Sequence, residues 1–211
     1  MRILFYGDSN TWGFNALDKS RQKNRFTRII KERLSEHEIL EEGLCGRTLC
    51  HDDCYDADRN GAKAISLVLK THDPLDVVFI MLGTNDAKRQ FSTNSISLEK
   101  GIRTLLYKAT NPEIYKDGAK KPKFFVVCPP RMNPGYVKIC RTVENFGQEG
   151  YDMLKNSKPF LEKGCKDFNI EVIDTQAVAG EVDGIHMDAS GHRQVAEVLI
   201  HTIENWMEEQ Q

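Results

Sequence analysis

Short apolar runs alternate along this chain with stretches whose apolar positions recur every three or four residues. Ile3, Leu4, Phe5 and Tyr6 make a first run that stops at Gly7, the pattern of a buried strand. Phe26, Ile29, Ile30 and Leu34 are then spaced for one face of a helix. A short strand follows over 38–42, and a helix over 61–71 turns Ala64, Ile65, Val68 and Leu69 inward. Residues 76–82 (DVVFIML) form a continuous apolar run ended by Gly83, which marks a central strand covered on both faces. The spacing predicts a helix over 97–109, a strand over 123–128 stopped by Pro129 and Pro130, and a long helix over 145–168 interrupted at Gly147 or Gly150. A last strand over 171–174 precedes a closing helix over 188–207, with Val195, Val198, Leu199, Ile203 and Trp206 on its inward stripe.

Strands alternating with helices in this way predict an α/β fold, a three-layer α/β/α sandwich with a five-stranded parallel sheet of flavodoxin-like order. No repeat, low-complexity tract or linker divides the chain, so 1–211 reads as a single domain. In such a sheet the loops 7–15, 43–60, 83–96, 129–144 and 175–187 leave the C-terminal strand edges together. That edge is where open α/β sheets keep their ligands.

Charged residues make up 28% of the sequence, apolar ones 40%, and the net charge is −2. This balance gives no electrostatic reason to expect nucleic acid or a membrane surface as a partner. The N-terminus lacks a basic start followed by an apolar core and a cleavage site, and no apolar stretch has spanning length. The expectation is a cytoplasmic chain beginning at Met1. Its six cysteines are irregularly spaced, which reads as reduced thiols rather than a disulfide frame. Cys50, His51 and Cys54 supply three metal-ligand types with no second pair to complete a site, so no metal is expected.

The chemistry-bearing residues all fall on the loop end of the sheet. Ser9 follows the first strand, where a strand would deliver a hydroxyl to the sheet edge, although Gly-Asp-Ser is also ordinary turn chemistry. Such a hydroxyl is a weak nucleophile without a base. His186 can supply that base, and Asp183, three residues earlier on a glycine turn, can hold its second ring nitrogen. Asp174 is a rival partner for the histidine, while His192 fits a packing or surface role and Asp188 the N-cap of the last helix. Asn85 can aim its amide at charge developing beside Ser9 or can cap the next helix; Asp86 is read as a cap. Gly46 lets a backbone N–H approach a ligand closely. With the Ser9 N–H and the Asn85 amide it would make an oxyanion hole of three donors. Trp12 is placed at the mouth of the site, packing on substrate or closing the first turn.

GDSNTWG at 7–13, GLCGRT at 43–48, GTND at 83–86 and DGIH at 183–186 resemble the four marker blocks of the SGNH (GDSL) hydrolases, in their order. The longer forms EEGLCGRT, IMLGTND and DGIHMDASGH resemble the arylesterase and acyltransferase branch, which includes perhydrolytic members. The resemblance spans the whole domain. It implies a catalytic Ser9, Asp183 and His186, an oxyanion hole from Ser9, Gly46 and Asn85, and no cofactor. It also implies that the backbone donor at position 46 needs no particular side chain, since some members carry another small residue there. The segment after Pro130 departs from the pattern and leaves substrate choice open. The elbow GxSxG and the phosphate loop GxxxxGK[ST] are absent.

The expected activity is a serine esterase taking short acyl groups from small esters, with transfer to alcohols competing with hydrolysis if water is excluded. The alternatives are a carbohydrate O-acetyl esterase and a non-catalytic binding module. The expected partner is a small-molecule ester, and a homo-oligomer is left open.

Overall fold

A computed structural model describes residues 1–92, 94–115 and 120–210; residue 93 of the loop expected over 83–96 lies outside them. Five strands, β1 (Arg2–Gly7), β2 (Glu38–Gly43), β3 (Val77–Met81), β4 (Lys123–Val127) and β5 (Glu171–Ile173), form one parallel sheet in the order β2-β1-β3-β4-β5. Among the described residues seven helices surround it: α1 (Ser9–Trp12), α2 (Phe26–Arg33), α3 (Gly61–His72), α4 (Ser95–Ala109), α5 (Cys140–Lys155), α6 (Ser157–Cys165) and α7 (Ala189–Glu208). This is the expected three-layer α/β/α sandwich.

The alternation of side chains along each strand divides the core in two. Leu4, Tyr6, Val78, Ile80, Phe124 and Val126 face one layer, where they meet Ile65 and Leu69 of α3, Ile102 and Leu105 of α4, and Leu161 of α6. Ile3, Phe5, Val77, Phe79, Phe125 and Val127 face the other, against Phe26 and Ile30 of α2 and Val195, Leu199 and Ile203 of α7. Register aligns Phe5 with Phe79 and Phe79 with Phe125. Their rings stack across three strands at 5.1 Å each, with interplanar angles of 11° and 13°. Burying three aromatic rings in offset contact is worth several kcal/mol, on the order of 2 per side chain from area alone, so this ladder sets how the central strands are matched.

The same register sets the site. Gly7 at the end of β1 pairs with Gly43 of β2 and Met81 of β3. The three segments that follow therefore leave the sheet at one level. β1 is also where the chain reverses its direction of travel, going first to β2 and then back across to β3. That topological switch opens a crevice at the C-terminal edge, and Ser9 stands at it.

The helix expected over 145–168 is two helices. The α5 helix starts earlier, at Cys140, and bends at Gly147, whose φ of 60° and ψ of −167° no helical residue adopts. It ends at Asn156 before α6 begins. The bend falls at one of the two glycines where an interruption was anticipated; the break at Asn156 precedes Pro159, which has no N–H for the Lys155 carbonyl and fits only the first turn of a new helix. No helix among the described residues is long and apolar enough to cross a membrane.

Candidate active site

Ser9 opens the single turn of α1. The preceding Asp8 caps that turn, its carboxylate accepting the Asn10 N–H at 2.8 Å, which satisfies a backbone donor otherwise left orphaned. Gly13, with φ of 87°, ends the turn and sends its N–H to the Ser9 carbonyl. The serine is thus held on a tight strand-to-turn corner, nearly buried but lining a cavity.

His186 arrives from the other end of the chain. Its Nε2 lies 2.9 Å from Ser9 Oγ, and its Nδ1 lies 2.5 Å from Asp183 Oδ2. The other Asp183 oxygen accepts the backbone N–H groups of Ile185 (3.0 Å) and His186 (2.9 Å). Burial would push this carboxyl up, but the His186 hydrogen bond and charge, with the two backbone donors, outweigh it and hold Asp183 below its ordinary pKa. Asp183 is therefore an anion at neutral pH, in position to fix the tautomer of His186 and to stabilise its protonated form. The rival Asp174 is engaged elsewhere, by Arg131 at 2.9 Å and Gln176 at 2.7 Å.

The segment after Pro130, where the sequence departs from the family pattern, braces this turn. Backbone bonds join Arg131 to Ala177 and Ala179, and Asn133 to Gly184. The Thr142 hydroxyl donates to the Asp183 carbonyl at 2.7 Å. On the opposite side the Asn10 carboxamide receives the Met187 N–H. The ring of Phe14 packs 4.5 Å from the imidazole. Asn10, Phe14 and Thr142 escaped the sequence reading. Asn10 alone carried a signal, a polar side chain directly after the serine in a stretch that folds into the interior.

Gly46 and Asn85 line the same cavity as Ser9 and His186, a cleft of about 490 Å³. The Asn85 amide donates to the Arg47 carbonyl at 3.0 Å, which leaves its second N–H for another acceptor. Arg47 is itself buried under Tyr6, its guanidinium 4.1 Å from that ring, and bonds the carbonyls of Gly7 (3.0 Å) and Glu42. It locks the loop after β2 onto the end of β1. Gly46 has φ of 88°, and a Cβ there would lie 2.5 Å from Arg59 Nε. In this chain position 46 does make a demand on the side chain, contrary to the expectation that none is needed.

Two further expectations are corrected, for Asp86 and Trp12. Asp86 is no helix cap: α4 is capped by Asn94. Asp86 is instead fully buried, both of its oxygens 3.0 Å from the Leu49 N–H. Burial pushes its carboxyl up to about 7. Trp12 does not line the cleft; Arg21 lies over its ring at 5.5 Å, and Phe14 takes the expected place beside the catalytic groups. His51, one of the three potential ligands in its run, stacks on Phe91 at 5.2 Å. His192 is a core residue, fully buried and stacked on Phe26. Asp188 caps α7 as anticipated, accepting the Ser190 and Gly191 N–H groups at 2.9 Å each.

The family model described as GDSL-like Lipase/Acylhydrolase family matches residues 5–194. Among solved structures, a carbohydrate acetylesterase family member from Sinorhizobium meliloti is similar at 29% identity, with 96% of each chain covered and a TM-score of 0.88. The aryl esterase of M. smegmatis is similar at 28% identity, covering 97% of this chain and 98% of its own, with a TM-score of 0.85. No curated protein matches the sequence significantly.

Proposed function

The chain belongs to the GDSL-like lipase/acylhydrolase family and is a carboxylic ester hydrolase, and from that premise we propose that it removes short acyl groups from small esters through an acyl-enzyme on Ser9. The observation that carries this reading is the unbroken line of contacts from Asp183 through His186 to Ser9, at 2.5 and 2.9 Å.

In the first half-reaction Ser9 Oγ attacks the ester carbonyl while His186 Nε2 takes the hydroxyl proton. Asp183 stabilises the imidazolium without accepting the proton. The oxyanion is met by the N–H groups of Ser9 and Gly46 and by the Asn85 amide, each worth on the order of 10²–10³ in rate in comparable sites. His186 then passes its proton to the departing alcohol. In the second half-reaction water, or another alcohol, attacks the acyl group with His186 again as base, and Ser9 is restored.

A cleft of about 490 Å³ supports a short acyl group and a small alcohol rather than a long lipid chain. Phe14, Phe146 and Ile185 supply its apolar wall. A second reading, removal of acetyl groups from a sugar, is supported by the likeness to the acetylesterase family member from S. meliloti at 29% identity. Acetylated sugars assayed beside aryl acetates separate the two, and ester exchange in excess alcohol tests transfer. The class and the nucleophile are tested together by a serine-directed phosphonate. An adduct mapped to Ser9, with turnover of 4-nitrophenyl acetate abolished in Ser9→Ala, is the expected result. An adduct elsewhere, or activity retained by the alanine variant, overturns the assignment.

A further inference from the structure

The cleft that holds Ser9 is lined by four cationic side chains, Lys19, Arg59, Lys88 and Arg141, and by one acid, Asp183. Two of these five charges are matched within the protein. Asp183 is occupied by His186 and two backbone donors. Arg59 is paired with Asp53 at 2.8 Å and Asp56 at 3.2 Å. Lys19, Lys88 and Arg141 have no ion-pair partner among the described residues. The excess in the cleft is therefore three positive charges.

Lys88 is the most telling of the three. It follows the 85–87 turn that carries Asn85 and is half-buried, so part of its hydration is already lost. Burial, and after it the neighbouring Arg59 guanidinium, hold its ammonium below the ordinary lysine pKa. The acids Asp8, Asp53 and Asp86 act on it only across a distance, and Asp53 is already held by Arg59. A partly desolvated ammonium open to a cleft and without a counter-ion is a ready partner for an anion. Lys19 approaches from the loop after α1 and Arg141 from the first turn of α5, so the field converges on the cleft rather than spreading over a surface.

On the reading that Ser9 is the nucleophile, we propose that the preferred ester carries a carboxylate or another anionic group, seated against Lys88, Arg141 and Lys19 while its carbonyl faces Ser9. The apolar wall then receives the body of the substrate and the three cations its charged end. The anionic group belongs either to the acyl part or to the alcohol part, and each has its own probe.

The test compares matched pairs of esters on the full chain. Mono-4-nitrophenyl glutarate against 4-nitrophenyl valerate places the charge on the acyl side; 3-acetoxybenzoate against 3-acetoxybenzamide places it on the alcohol side. One of the anionic members is expected to exceed its neutral partner in kcat/KM by about tenfold at low ionic strength. That advantage should shrink severalfold in about 0.5 M salt. Lys88→Gln and Arg141→Gln should each lower the anionic-to-neutral ratio severalfold, and Lys88→Arg should keep it. Anionic esters turned over no faster than their neutral partners, with no salt effect, overturn the inference while leaving the esterase reading intact. Loss of turnover for every ester strikes both.

Discussion

The Asn10 carboxamide accepts the Met187 N–H at 2.9 Å and donates to the Ile185 carbonyl at 3.4 Å. It therefore grips the backbone on both sides of His186 from the residue next to Ser9. Asn10→Ala leaves the Met187 donor buried and unmatched, which costs about 1–3 kcal/mol of stability. The expected kinetic effect is a kcat lowered roughly tenfold with KM changed little, because the loss is of alignment in the transition state rather than of substrate contact. A parallel rise in KM, or stability loss with unchanged kcat, would reduce Asn10 to a packing role.

Asp183 is held below its ordinary pKa, so it stays ionised well below neutral pH and adds no ionisation of its own to the profile there. The acid limb of kcat/KM should therefore follow a single ionisation. Asp183→Asn should lower kcat by roughly 10³–10⁴, without a comparable change in folding. The pH profile and kcat of the two proteins, measured on one activated ester, check this directly.

His192 is fully buried, and its Nδ1 accepts the Phe26 N–H at 3.3 Å. Burial depresses its pKa from 6.5 to about 4, against a smaller pull from Asp188. Between these values the unfolded chain binds a proton that the folded one refuses. Its contribution is complete above pH 6.5 and is lost as the pH falls towards 4, on the order of 3 kcal/mol in all. Asp86, with a carboxyl raised to about 7, works in the opposite sense between its ordinary pKa and that value. The readout is accordingly the difference between wild type and His192→Asn in urea midpoint, which should narrow as pH drops from 7 to 4.5. A difference independent of pH would sink the assignment.

Gly46 carries φ of 88° beneath an arginine that Asp53 and Asp56 pin in place. Gly46→Ala must strain the backbone and displace Arg59, for a loss of about 1–2 kcal/mol. Because the Gly46 N–H is also the proposed oxyanion donor, kcat should fall more than stability alone accounts for. Equal kcat for the folded variant would show that Arg59 yields to the new Cβ and the backbone N–H at 46 keeps its aim.

The inner strands β1, β3 and β4 were legible because each is an apolar run with a glycine or proline stop, at Gly7, Gly83 and Pro129, whereas the edge strands β2 and β5 carry only two apolar residues each. Ser9 was legible because it follows such a stop, and Asp183 and His186 because they share a glycine turn in the last loop before α7. What stayed hidden depends on tertiary context. Asp86 resembles a cap until the Leu49 N–H is seen above it. Trp12 and Phe14 are both aromatic residues past the serine, and only the turn of α1 decides which one faces the cleft. The break at Asn156 is written locally instead, in Pro159 of the first turn of α6, which has no N–H for the Lys155 carbonyl and so cannot continue α5.

The groups that meet at 2.9 Å in this site are separated by 177 positions of chain. During synthesis Ser9 emerges with the first few dozen residues, but it meets the imidazole only once the loop leading into α7 has followed. Long-range contacts of this kind form late. On the proposed mechanism, hydrolytic competence waits until the two ends of the chain have met, and recovery of turnover after refolding becomes a clock for that meeting.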